Sequence, residues 1–220
     1  MKKYAVIVAG GMGKRMGHST PKQFLNLNGK PVLWYTIDAF LRAYQDLQLI
    51  VVVPEEYKKD GQKITGLFER HIQIATGGDT RFHSVKNGLK WVEEESVVFV
   101  HDAVRCLISI PLIHRCYNET LQFGNAVPAV AATDSIRILK NGHPKSEDRE
   151  SVRIVQTPQT FLASVIKPAF QQEYQPDFTD EATVVESFGA KIHLVEGEFY
   201  NIKITRPLDL FLAKKIISNR

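Results

Sequence analysis

The chain of 220 residues has only two cysteines, Cys106 and Cys116, ten residues apart and with no CxxC pair. That excludes a disulfide framework and a cysteine-rich zinc site, and the thiols read as reduced and cytosolic. No apolar run approaches the roughly 20 residues needed to cross a bilayer, and no leader-like segment precedes the apolar stretch at Tyr4. A soluble cytoplasmic protein with no membrane partner is expected. Charge of one sign is also scarce, since 28 basic and 24 acidic residues leave a net +4. Without a long basic run, nucleic acid is not an expected partner, whereas a small acidic substrate fits. Internal repeats and low-complexity segments are missing. No Asp/Glu cluster specifies a metal cage, so no metal-ligating residues are assigned.

Two familiar glycine signatures are missing as well. A Walker A loop needs Gly-x-x-x-x-Gly-Lys followed by Ser or Thr. Here Gly13-Lys14 is followed by Arg15, and no glycine stands five residues before Gly13. A dinucleotide fingerprint, G-x-G-x-x-G, is broken by Met16 at its third glycine, which argues against an NAD-dependent oxidoreductase.

What the chain does have begins at Ala9–Lys22, AGGMGKRMGHSTPK, directly after the strand-like run Tyr4–Val8. Gly10, Gly11 and Gly13 allow backbone N–H groups to approach an anion closely, and Lys14, Arg15 and Lys22 neutralise it. The loop is built to hold something rich in phosphate.

With 44% hydrophobic and 24% charged residues there is material for a sizeable core. A single domain over 1–220 is expected. Strands are predicted at Tyr4–Val8, Leu47–Val53, Ile72–Thr76, Val97–His101, Ala126–Ala131 and Lys191–Glu196. Helices are predicted at Pro31–Tyr44, with Pro31 at the first helical position, and at Asp79–Val92, Ser109–Phe123 and Thr205–Ser218. The alternation argues for an α/β fold, a mostly parallel twisted sheet with helices on both faces. Residues 134–155 break the rhythm. Asp134–Leu139 leads into an Asn141-Gly142 turn and a charged run that ends at Ser151–Val155, which reads as a projecting β-hairpin arm, although Pro144 weakens its returning strand. Its apolar positions need a cover, and a second subunit is the candidate.

Asp102 and Arg105, in His101-Asp-Ala-Val-Arg105, follow an apolar strand, where ligands of open α/β sheets sit. Asp102 is suited to a ribose hydroxyl, a Mg²⁺-bound water or a polyol. Arg105 either meets a second anion or is a solvated loop charge. In Gly77-Gly78-Asp79-Thr80-Arg81, Thr80 reads as a helix cap, and the glycines allow close approach to a flat base. Thr179-Asp180-Glu181 reads as a helix N-cap with acidic first-turn residues. Gln156–Gln159 reads as a polar turn in which Pro158 holds Thr157 extended. Thr205 and Pro207 start a helix, and Lys203 just before them has no structural excuse.

The ordered set AGGMGKRM, PKQF, GGDTR, HDAVR, QTPQTF, TDEA and NIKITRP resembles the 2-C-methyl-D-erythritol 4-phosphate cytidylyltransferases over nearly the whole chain. The resemblance implies a Rossmann-like nucleotidyltransferase fold and CMP transfer from CTP to a polyol phosphate, with Mg²⁺ arriving on the triphosphate. It implies that Arg15 and Lys22 stabilise the transition state at the α-phosphate and that Arg149 and Lys203 position the methylerythritol phosphate. Asp102, Arg105, Ser135, Thr157 and Thr179 would join them at that substrate. Ala9, Gly10, Gly11, Gly78, Asp79 and Ser84 would line the cytidine pocket, with Gly13 and Asp102 beside the nucleotide. It also implies a homodimer that exchanges the arm, so that Arg105 and Ser135 act on the neighbour's site. Three positions depart from the family pattern: Cys106 where proline is usual, Val8-Ala9-Gly10-Gly11 in place of Pro-Ala-Ala-Gly, and Tyr200 before Asn201. The last two also resemble ribitol-5-phosphate cytidylyltransferases, whereas TDEA and Arg206-Pro207 favour the methylerythritol enzymes. A nucleotide-binding module without catalysis is the alternative from another class.

Overall fold

The computed structural model describes residues 1–11 and 20–219. The chain begins with β1 (Lys2–Val8), a two-stranded ribbon of β2 (Asn26–Leu27) and β3 (Lys30–Pro31), and α1 (Val32–Ala43). There follow β4 (Leu47–Val53), α2 (Lys58–Thr65), β5 (Gln73–Thr76), α3 (Arg81–Leu89), β6 (Ser96–Asp102), α4 (Ile110–Phe123) and β7 (Asn125–Ala131). The arm carries β8 (Ile136–Lys140) and β9 (His143–Glu147). Then come β10 (Arg153–Val155), β11 (Gln159–Leu162), α5 (Ala163–Ala169), α6 (Glu181–Ser187), β12 (Leu194–Glu196) and α7 (Pro207–Ser218).

The main sheet runs β10-β7-β11-β6-β1-β4-β5, with β12 added to β7. β1 lies parallel to both β4 and β6, and β4 parallel to β5, so these four strands end at the same edge. β11 is inserted antiparallel between β6 and β7. Alternate residues of the central strands feed two cores. Ala5, Ile7, Val51 and Phe99 pack with Leu33, Ile37 and Phe40 of α1 and Leu112 of α4. Val6, Val52, Val98 and Val100 pack with Phe82 and Val85 of α3 and Ile166 of α5. Burial on both faces explains why these strands read as unbroken apolar runs. Gly88 lets α3 lie close on the sheet, because a Cβ there would fall 2.5 Å from Val6 Cγ1.

The mostly parallel sheet with helices on both faces is as predicted, with some boundaries moved. The helix expected from Pro31 starts at Val32, and that expected over 79–92 spans Arg81–Leu89 after a Thr80 cap. The strand predicted over 191–196 shortens to Leu194–Glu196. In the arm, Asn141 and Gly142 turn with φ of 50° and 80°, and β9 is the returning strand. Pro144 is tolerated because it faces Leu139, one pair beyond the turn-closing Lys140–His143 pair, where strand N–H groups point outward. Ser151–Val155 is not the arm's return: β10 joins the main sheet against β7. Gln159, read as part of a polar turn, opens β11. The short elements α2, α5, β2, β3 and β11 were not expected from the sequence.

Candidate active site

β1, β5 and β6 deliver their carboxyl ends to a cavity of about 420 Å³. Beyond β1, Ala9 stays tied to the sheet by donating its N–H to the Val52 carbonyl at 2.8 Å, while Gln23 donates to the Ala9 carbonyl at 2.6 Å. Gly10 and Gly11 continue the wall. Beyond β5, the Gly78 N–H donates to Ser84 Oγ at 3.1 Å, and Ser84 Oγ donates to the Thr80 carbonyl at 2.9 Å. Only glycine fits at 78, since a Cβ would lie 2.5 Å from His83 Cβ. Thr80 caps α3 by accepting from the His83 N–H at 3.2 Å, which leaves Asp79 facing the cavity.

Lys22 enters from the turn after Pro21, is only 8% exposed, and lies near Gly11, whose Cβ would come within 4.0 Å of its Cε. Asp102 lines the same cavity, and three cations gather around it. Lys203 Nζ is 2.9 Å from Oδ2, Arg105 Nε is 3.5 Å from the same oxygen, and Arg81 is 3.4 Å from Oδ1. Arg81 is also gripped by Glu181 through both carboxylate oxygens, with Nη2 donating to Oε2 at 3.0 Å and Nη1 to Oε1. Burial alone would raise the Asp102 pKa, but the charges of Arg81, Lys203 and Arg105 outweigh it and hold the carboxyl below the usual range. Burial pushes the Glu181 carboxyl up, with the Arg81 guanidinium opposing it.

Behind Asp102 lies a buried polar web. Burial lowers the His101 pKa to about 3, so the ring is neutral. Its Nε2 lies 3.2 Å from the Arg105 carbonyl, which can only accept, so Nε2 carries the proton and Nδ1 accepts from Thr157 at 3.0 Å. Thr157 Oγ1 in turn accepts the Asp102 N–H at 3.1 Å. Asn201 donates to the Thr157 carbonyl at 2.8 Å, and its own carbonyl accepts from Arg105 Nη1 at 2.8 Å. The NIK, HDAVR and QTP segments are thus one hydrogen-bonded unit.

The cavity therefore gathers Ala9, Gly10, Gly11, Lys22, Gly78, Asp79, Ser84, Asp102 and Lys203. Thr157 faces His101 from behind and is 4% exposed. Arg105, expected from the resemblance to act on the neighbour's site, pairs with Asp102 of its own chain. Arg149 donates to the Thr133 carbonyl from the arm, and Ser135 and Thr179 are exposed, none of them on the cavity wall. Gly13, Lys14 and Arg15 lie outside the described residues.

Glu181 has a second role besides the expected one. It is the first-turn acid of α6 that the sequence predicts, after the Asp180 cap, and it is also fully buried on Arg81. Neither Arg81 nor Glu181 carried a site role in the sequence reading. Their only signal was that each sits inside a motif, GGDTR and TDEA. Two departures prove remote from the cavity wall: Tyr200 lines a separate groove, and Cys106 packs with Leu27, Val32 and Leu107.

Glycine turns at the ends of two parallel strands of one sheet, beside a cation cluster, are the plan of a nucleotidyltransferase. Residues 4–219 match the family described as IspD, 2-C-methyl-D-erythritol 4-phosphate cytidylyltransferase, and the chain belongs to that family. It is 42% identical to the cytidylyltransferase of that name from Bacteroides thetaiotaomicron, covering 99% of this chain and 100% of the relative. It is 43% identical to that of Bacteroides fragilis, again over 99% and 100% of the two chains. Among solved structures, the 4-diphosphocytidyl-2C-methyl-D-erythritol synthase of Anaerococcus prevotii superposes with a TM-score of 0.85 at 26% identity, covering 99% of this chain and 98% of that one.

Proposed function

We propose that the chain transfers CMP from CTP to 2-C-methyl-D-erythritol 4-phosphate, releasing pyrophosphate. The observation that carries the reading is the cavity itself, which two glycine turns line together with Lys22 and the Lys203–Asp102 pair. An acceptor phosphate monoester has a second pKa near 6 and is mostly dianionic at neutral pH, so it needs no general base. One of its oxygens forms a bond to the α-phosphorus, and the bond to the pyrophosphate oxygen breaks, the electron pair leaving with pyrophosphate. The obstacle is repulsion between two polyanions. Lys22, with Arg15 of the GKRM motif, offsets the charge growing at the α-phosphate, and Lys203 holds the acceptor phosphate in line. Asp102 orients a hydroxyl, and the backbone of Gly10, Gly11 and Gly78 admits the nucleotide.

Magnesium fits this site only sparsely. Asp102 offers a carboxylate, but both of its oxygens already face cations, and no group of three His, Cys, Asp or Glu gathers among the described residues. We assign Mg²⁺ to the triphosphate, where it would supply charge neutralisation while held mainly by phosphate and water. We also propose that two copies exchange arms, bringing Arg149 and Ser135 to the partner's cavity, and that the enzyme works in the cytoplasm. No helix among the described residues is long and apolar enough to cross a membrane.

Pyrophosphate release from CTP, measured side by side with methylerythritol phosphate and ribitol 5-phosphate, tests the reading. Faster release with methylerythritol phosphate is expected. Release with ribitol 5-phosphate alone would replace the acceptor, and release with neither would reduce the chain to a nucleotide-binding module.

A further inference from the structure

The three cations around Asp102 are not held alike. Lys203 is 40% exposed along its side chain and rests on Asp102 Oδ2. Arg105 is tied down a second time, by the Asn201 carbonyl at 2.8 Å. Arg81 lines the cavity, yet its contacts to Asp102, from Nε and Nη2 at 3.4 Å each, are longer than those to Glu181. A guanidinium this loosely held by one carboxylate is drawn toward any phosphate that enters. The opposing restraint is Glu181, fully buried and bidentate on the other edge of the same guanidinium. The helix start that carries Glu181 is anchored by hydrogen bonds on both sides. Asp180 caps its helix by accepting the Thr183 N–H at 2.9 Å, and Gln159 bridges β11 to that helix, donating to Asp180 Oδ2 at 2.8 Å and accepting the Ala182 N–H at 2.7 Å.

We propose that Glu181 is a positioning residue that keeps Arg81 on Asp102 while polyphosphate fills the cavity, so that Lys203 is the cation of this cluster handed over to substrate. The inference rests on the phosphoryl-transfer reading above. Restraining Arg81 has two consequences. Asp102 keeps a fixed cationic neighbour when Lys203 leaves, so its carboxylate stays oriented. The product pyrophosphate also meets one cation fewer, so it leaves more readily. A residue of this kind weakens anion binding and raises turnover, the reverse of what a purely structural residue does.

The test is Glu181→Gln, which keeps the shape and removes the charge. Pyrophosphate binding by calorimetry, kcat and KM for CTP, and the thermal midpoint are measured together. Pyrophosphate should bind about 3- to 10-fold more tightly while kcat falls at least 10-fold. In Arg81→Gln/Glu181→Gln the tighter binding should vanish, because no guanidinium remains to be released. If Glu181→Gln fails to fold, Arg81→Lys replaces it: a lysine cannot span both carboxylates, so kcat should fall while pyrophosphate affinity stays within twofold or rises. Unchanged kcat in the variant, loss of binding and kcat together, or tighter binding that persists in the double variant would each overturn the proposal. Absence of pyrophosphate release by the wild-type protein would instead overturn the reading of the reaction, which keeps the two failures apart.

Discussion

Lys22 and Asp102 both line the cavity, and each carries a separable prediction. Lys22→Ala should lower kcat about 10²- to 10³-fold, as removal of a donor from a developing anion does. CTP binding by calorimetry should be retained, and the thermal midpoint should move by less than about 3 °C. An unchanged rate would remove Lys22 from catalysis. Asp102→Asn removes the carboxylate that three cations share and should cost about 3 kcal/mol at pH 7, because Arg81 keeps Glu181 and Arg105 keeps the Asn201 carbonyl. The sign with pH follows from the depressed Asp102 pKa: its contribution is fully present above the usual 3.8 and is lost as pH falls through the lower native value. Urea unfolding of wild type and variant should therefore converge below that pH. A gap that stays constant between pH 7 and the acid range would show that the carboxylate charge is not what matters. Glu181, shifted in the opposite direction, is present in both proteins and largely cancels in the comparison.

Among the elements, α3 has the tightest packing constraint. Gly88 faces Val6 and Val52, both fully buried, and a Cβ would meet Val6 Cγ1 at 2.5 Å and Val52 Cγ2 at 3.0 Å. Alanine normally favours a helix over glycine by about 1 kcal/mol. Here overpacking against stiff β-branched side chains should reverse that, so Gly88→Ala should destabilise by about 1–3 kcal/mol in denaturant unfolding. A stabilised variant would mean that α3 can lift from the sheet without loss. The long strands and helices were legible because Val97–Val100 is an unbroken apolar run and Leu33–Phe40 keeps helical spacing over about two turns. β11 was not, because four residues, Gln159–Leu162, carry too little periodicity, and their strand character comes from insertion between β6 and β7.

In the whole molecule the arm is the open question. Among the described residues β8 and β9 pair only with each other, and Ile138 and Leu139 of β8 are exposed. Arm exchange predicts a solution mass of two chains by light scattering, and a single-chain mass with loss of turnover when residues 136–147 are replaced by a short Gly-Ser linker. A wild-type mass of one chain would count against it. The existence and approximate place of the arm were legible from Asn141-Gly142. Its exit was not, because Ser151–Val155 reads as continuing the hairpin, while the main sheet competes for β10 and wins through β7.

The chain by itself determined the two glycine turns, the cation-rich loop, the capping of α3 by Thr80 and the strand that ends at Asp102. Each depends on backbone freedom, local hydrogen bonds or apolar period, which neighbouring residues set among themselves. The tertiary structure alone decided which charges meet. Arg81, Arg105 and Lys203 reach one carboxylate because β6 lies beside β1 and the NIK segment is pinned to the QTP turn, with the Ile204 N–H on the Val104 carbonyl at 3.0 Å. Glu181 meets Arg81 because Gln159 docks α6 against β11. Coulomb energy depends on distance in space, and separation along the chain carries no record of it.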